Sequence, residues 1–164
     1  MKQTLLIFSL LIALSACSSS TEPIPPAEDL RVLTGDSVHV ALGVPADNDP
    51  SDDFVIIRHQ YALSYNKDKG VPNWVSYELN ASWFGNAERY DGNFITDNTL
   101  PESFYKVKHA DYTNSGYDRG HMVRSEERTI DDADNKSTFL MSNIIPQTPD
   151  LNRGVWLDLE YHLE

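Results

Sequence analysis

The last 48 or so positions leave few architectures open, roughly one strand, a loop, a second strand and a helix in that order. Residues 117–123 read as a short strand, and residues 138–145 (with Phe139, Leu140, Met141, Ile144 and Ile145) as a buried strand stopped by Pro146. Asp150 can cap a final helix whose apolar stripe is Trp156, Leu159 and Leu163. Four segments of this stretch carry the candidate chemistry, a base, cations, a neutral oxygen ligand and a carboxylate: Asp118-Arg119-Gly120-His121, Ser142-Asn143, Asp150-Leu151-Asn152-Arg153-Gly154-Val155-Trp156, and Glu160. In an extended strand residues i and i+2 share a face, so Arg119 and His121 point into the same cleft. Gly120 between them leaves room for a close approach of backbone or ligand.

Upstream, residues 54–65 alternate, with Ile57, His59, Tyr61, Leu63 and Tyr65 on one face. Residues 66–70 form a turn, and residues 74–79 set Val75, Tyr77 and Leu79 on one side. This predicts an antiparallel hairpin. His59 has no partner at ligand spacing and reads as a strand-surface or packed residue. Residues 37–42 are a further short strand candidate, while residues 80–117, rich in Asn, Asp, Gly and Tyr, read as a long irregular connection carrying Arg89. Asp131, Asp132 and Asp134 lack the glycine of a calcium loop, so residues 125–134 are expected to be a solvated loop.

The N-terminus is a separate matter. Lys2, the apolar run 5–14 and Leu14-Ser15-Ala16-Cys17 have the layout of a secretory signal, too short to span a bilayer. Leu-Ser-Ala-Cys resembles the bacterial lipoprotein signal, which implies cleavage of residues 1–16 and acylation of Cys17. Each buried methylene of such chains adds about 0.8 kcal/mol, so several chains make a stable anchor. Ser18 after the cysteine favours the outer membrane. Residues 17–36 then form a lipidated tether rich in Ser and Pro, and residues 37–164 the domain. Cys17 is the only cysteine, which excludes an internal disulfide.

The formal net charge of −12 counts against a nucleic-acid coating role, because such a field repels polyanions. It does not exclude one cleft where arginines and a divalent cation reverse the potential. The C-terminal residues have the chemistry for such a cleft. An imidazole suits a general base near neutral pH, and the arginine fork suits phosphate oxygens. Asn152 offers a neutral oxygen to a hard cation, which keeps most of its waters. If one helix includes Asn152 and Glu160, its rise sets their backbones about 12 Å apart. Glu160 then acts from the outer shell rather than chelating beside Asn152.

Tyr117-Asp118-Arg119-Gly120-His121-Met122, Phe139 to Gln147, Asp150 to Trp156 and Leu159-Glu160 together resemble the sugar-non-specific DNA/RNA endonucleases with a ββα-metal site, the endonuclease G group among them. The resemblance spans residues 37–164. It implies an α+β fold with a ββα-metal core and an N-terminal antiparallel hairpin. It further implies His121 as general base, Asn152 as the direct magnesium ligand and Glu160 acting through metal-bound water. Arg119 is implied to contact phosphate, with Asn143 supporting the cleft and Arg89 as a second phosphate contact. Products with 5′-phosphates and both DNA and RNA as substrates are implied as well. Magnesium is the expected ion, with Mn2+ or Ca2+ as alternatives. Relatives of this kind continue past the glutamate, so a domain incomplete at its C-terminus is expected. Two other readings compete: an inactive surface lipoprotein that binds nucleic acid or protein through the same cleft, and a non-functional fragment. Oligomeric state, a homodimer included, and any protein inhibitor are left open by the sequence.

Overall fold

The computed structural model describes residues 37–163. The expected signal sequence, the expected lipidation site at Cys17 and the expected tether lie outside the described residues. No helix among those described is long and apolar enough to cross a membrane.

The fold is α+β, with two small antiparallel sheets. The first is a meander of β1 (Phe54–Ile57), β2 (Ala62–Asn66) and β3 (Val71–Ser76). Residues 54–65 are thus two strands, not one. Arg58 N–H donates to the Tyr61 carbonyl at 2.8 Å, closing a tight turn over His59 and Gln60. A two-residue turn inverts the period-2 phase: Ile56, not Ile57, lies opposite Leu63 and shares its face, so the expected single face of Ile57, His59, Tyr61, Leu63 and Tyr65 does not hold across the reversal. His59 lies exposed at its tip. The β2–β3 turn is built by Asn66, whose side-chain oxygen accepts from the amides of Asp68 (3.1 Å) and Lys69 (3.0 Å). Gly70 completes it at φ +70°, where a β-carbon would be strained. Ile56, Tyr61, Leu63 and Tyr65 from this sheet bury themselves with Leu100 and Val123 as the main core.

The second sheet pairs β4 (Asp118–His121) with β5 (Ile144–Gln147), from Asp118 opposite Gln147 to His121 opposite Ile144. The strand expected over 138–145 starts later, because residues up to Ser137 belong to helix α1 (Asp132–Ser137) and Met141–Asn143 make a 3-10 turn. Pro146 lies inside β5 opposite Arg119, as an edge strand tolerates. Residues 125–134 are not a solvated loop. Glu127 and Arg128 are buried, Asp131 caps α1 by accepting from the Asp134 amide, and Asp134 accepts from Gln60 at 2.7 Å.

Residues 37–42 form a 3-10 turn (Val38–Val40), not a strand, since the Ser37 hydroxyl accepts from the His39 amide and holds the backbone locally. His39 fastens this turn to the meander. Its Nδ1 accepts from the Glu78 amide (3.0 Å), so Nε2 carries the proton and donates to the His59 carbonyl (2.7 Å). The connection 80–117 contains only short 3-10 turns and one isolated bridge, Ile95 to Leu140. It is pinned by the buried ion pair of Arg58 and Asp97 (2.5 Å), whose carboxylate also accepts from Ser142 (2.6 Å).

The chain then kinks. Residues Leu151–Val155 form a wide π-type turn with Gly154 at φ −119°, ψ −110°, and α2 (Trp156–Leu163) follows. Asp150 makes no side-chain cap, contrary to expectation. Leu159 and Leu163 are exposed, so the expected stripe is not the packed face. With β4 and β5, α2 completes a strand–strand–helix unit.

Candidate active site

The groove between β4, α2 and the connection is a cavity of about 320 Å3. Its wall includes Arg89, Arg119, His121, Asn152 and Glu160, five of the residues singled out in the sequence. Asn143 is not there. It is fully buried behind β4, accepting from the Val123 amide (3.0 Å) and donating to the carbonyls of Val123 (3.0 Å) and Thr138 (2.8 Å). Every one of those bonds goes to backbone, so Asn143 fixes the chain leaving His121 and does not reach the cleft.

His121 and Arg119 share the groove face of β4, as the i, i+2 spacing predicts. The His121 ring packs edge-on to Phe139 at 4.9 Å and tilted against Phe94 at 5.2 Å. The ring keeps some exposure, but Nε2 is buried and makes no hydrogen bond among the described residues. Burial first, and then the Arg89 charge, push its pKa down to about 4. The imidazole is therefore neutral at pH 7 and can accept a proton. Gly120 is required by a neighbour rather than by a ligand: a β-carbon there would lie 2.2 Å from the Gln147 amide oxygen.

Arg119 donates through Nε (3.2 Å) and Nη2 (2.7 Å) to the His109 carbonyl, and its guanidinium lies near the rings of Phe94 and Tyr112. Among the described residues no carboxylate oxygen forms a direct ion pair with it, and its closest hydrogen bonds go to a neutral carbonyl. Arg89 donates to Ser125 and, at 2.7 Å, to Glu126, over the Phe139 ring.

Asp118 organises the turn before α2. Its carboxylate receives a two-pronged Arg153 contact at 2.8 Å and the Asn152 amide nitrogen at 3.1 Å. A carboxylate only accepts, so the Asn152 nitrogen must face it and the amide oxygen is left for the groove. Arg153 and Asn152 together hold the Asp118 carboxyl below its usual range despite partial desolvation. Glu160 enters from α2, half-buried, with its carboxyl 3.7 Å from Arg124. Burial raises its pKa, and Arg124 pulls the other way. Because Gly154 breaks the helix between Asn152 and Glu160, the regular-helix spacing between them does not apply. Both line one cavity.

The sequence reading passed over Arg124, Glu126 and Arg153 as wall residues. Arg124 contacts Glu126 at 3.2 Å and lies over the Tyr161 ring. Burial raises the Glu126 pKa, but its own backbone amide, Arg89, Ser125 and Arg124 outweigh this and hold it below the ordinary value. The signal for Arg124 and Glu126 was present as mixed charge close behind His121, but such runs are usually solvated. Four of the chain's seven arginines line this one cavity, against two carboxylates. The groove is thus locally basic within an acidic protein.

No group of three or more His, Cys, Asp or Glu side chains among the described residues could enclose a metal. The free Asn152 oxygen and the half-buried Glu160 carboxylate fit a different arrangement, a hydrated hard cation with few protein ligands. That donor set disfavours zinc.

The profile of the DNA/RNA non-specific endonuclease family matches residues 41–164. A nuclease of Nostoc sp. is 45% identical over 158 residues, covering 94% of this chain and 57% of that protein. Human mitochondrial endonuclease G is 32% identical over 109 residues, covering 63% of this chain and 35% of that protein. Among solved structures, a chain of the EndoG/EndoGI complex, described as showing the mechanism of EndoG inhibition, superimposes with a TM-score of 0.66 at 31% identity. It covers 76% of this chain and 50% of that one. The chain therefore spans about half the length of these relatives or less. A match that takes in both sheets, the kink and α2 leaves one assignment: this chain belongs to the DNA/RNA non-specific endonuclease family.

Proposed function

We propose that this groove hydrolyses phosphodiester bonds in DNA and RNA, with magnesium as its ion. The observation that carries the reading is a neutral, half-buried His121 opening onto a cavity walled by four arginines. His121 takes the proton of the attacking water. Arg119 holds the scissile phosphate, and its fork neutralises charge gathering on the oxygens, while Arg89 supplies a second phosphate contact along the backbone. The Asn152 oxygen and the Glu160 carboxylate would hold the cation, Asn152 as its direct ligand and Glu160 through water. When bound, the cation stabilises the leaving oxygen. Mn2+ or Ca2+ would fit the same oxygen donors. Contacts of this kind are made to backbone and carry no sequence information, which agrees with low base specificity and with use of both sugars. The leaving group is the 3′-oxygen, so products carry 5′-phosphates.

The test is a magnesium titration of plasmid cleavage by the Asn152→Ala variant. It should need roughly 10–100-fold more magnesium, or lose activity outright. An unchanged magnesium curve contradicts the role of Asn152. The location is part of the same proposal: export and acylation at Cys17 would place the enzyme at the outer membrane. Mass spectrometry of the mature N-terminus, showing lipid on Cys17 or an unmodified residue, decides that point.

A further inference from the structure

Glu126 holds an unusual position for an acidic residue. One carboxylate oxygen accepts from Arg89 at 2.7 Å, and the other lies 3.2 Å from Arg124 Nε. Two guanidinium groups from different parts of the chain thus converge on one anion inside the groove where the substrate backbone is to run. A phosphodiester presents the same features to such a pair, two oxygens sharing one negative charge. The Arg89–Glu126 contact is half-exposed on both sides, the kind of pair that solvent weakens and a competing anion can displace. Arg124 is different. Its side chain is only 10% exposed, braced between Glu126, Glu160 and the Tyr161 ring, so it stays in place when Glu126 leaves.

We propose that Arg124 and Arg89 form a second backbone-phosphate subsite beside the scissile position, and that Glu126 occupies it in the free protein as an internal competitor. The inference rests on the phosphodiesterase reading and names a subsite and a brake within it. Substrate entry swings the Glu126 carboxylate away from Arg89 and sets a phosphate between the two arginines. A highly acidic protein benefits from such a device, because the arginines are kept paired and ordered until a polyanion arrives.

The experiment measures binding of a short fluorescently labelled single-stranded DNA in Mg2+ by anisotropy, using a His121→Ala background to prevent cleavage. Glu126→Gln keeps the shape and removes the charge. It should tighten binding roughly three- to tenfold. It should also steepen the salt dependence of log K by about 0.7, the increment for one further phosphate contact on a single strand. Adding Arg124→Gln should remove both gains, and Arg124→Lys should restore part of the affinity but not the salt-independent part of the fork contact. Glu88→Gln changes the net charge equally from a site outside this cavity and should leave binding as it was. Equal tightening by Glu88→Gln and Glu126→Gln, or no change with Glu126→Gln, would overturn the proposal while leaving the nuclease reading intact. The Glu126 and Glu88 comparison decides this even if Arg124→Gln fails to fold. A wild-type chain that neither binds nor cuts nucleic acid overturns both.

Discussion

At His121, burial and a neighbouring arginine act in the same direction, holding the imidazole neutral, and Nε2 has no hydrogen-bond partner among the described residues. An NMR titration of the metal-free protein should place its pKa well below the ordinary 6.5, towards about 4. A value at or above 6.5 contradicts the geometry. Replacing His121 with Ala should lower cleavage by about 10²- to 10⁴-fold, the usual range for loss of a general base. Gly120→Ala would push a methyl into the buried Gln147 side chain, for a cost of about 1–3 kcal/mol read by urea denaturation. Asn143→Ala should also cost about 1–3 kcal/mol or more, because it orphans the buried Val123 amide and two carbonyls. In that variant lost stability, not lost substrate contact, is expected to lead the loss of activity.

The working unit is β4, β5 and α2, and the kink at Gly154 is what lets Asn152 and Glu160 face one cavity. Asp118 sets the angle of the Asn152 amide from the start of β4. Asp118→Asn should therefore raise the magnesium needed for half-maximal activity while leaving the melting temperature nearly unchanged, since its Arg153 contact is largely exposed. Much of this unit was legible in the sequence. Strand periodicity alone puts Arg119 and His121 on one face. The kink was not legible, because Gly154 departs from helical angles only in three dimensions and Asp150 mimics a cap it does not form. The Arg124 to Arg128 run misled for a similar reason: charged residues are normally solvated, but here Arg124, Glu127 and Arg128 are buried by contacts from distant segments. In the meander, a turn closed by Arg58 and Tyr61 was hidden because Val55-Ile56-Ile57 and Tyr61-Ala62-Leu63 place apolar residues at both parities, which masks the change of phase at the reversal.

Across the whole molecule, a net charge of −12 surrounds a groove where arginines outnumber carboxylates. Such a protein should lose nucleic-acid affinity steeply as salt rises. Two histidines tie its stability to pH. His39 uses both ring nitrogens in its neutral form, and burial, aided by Arg128, holds its pKa below 6.5, as burial does for His121. The unfolded chain binds these protons first. Stability should therefore be fully present above pH 6.5 and decline as pH falls towards about 4, seen as a falling urea midpoint. His39→Gln should flatten part of that decline. The central claim is that His121 and a hydrated cation in this groove cut phosphodiesters, and a paired digestion tests it most directly. Plasmid DNA and RNA are incubated with wild type and His121→Ala, each with Mg2+ or with EDTA. The wild type should cut both substrates in Mg2+ alone, leaving 5′-phosphates, and His121→Ala should be nearly inactive; equal cutting by the two proteins, or undiminished cutting in EDTA, would contradict it.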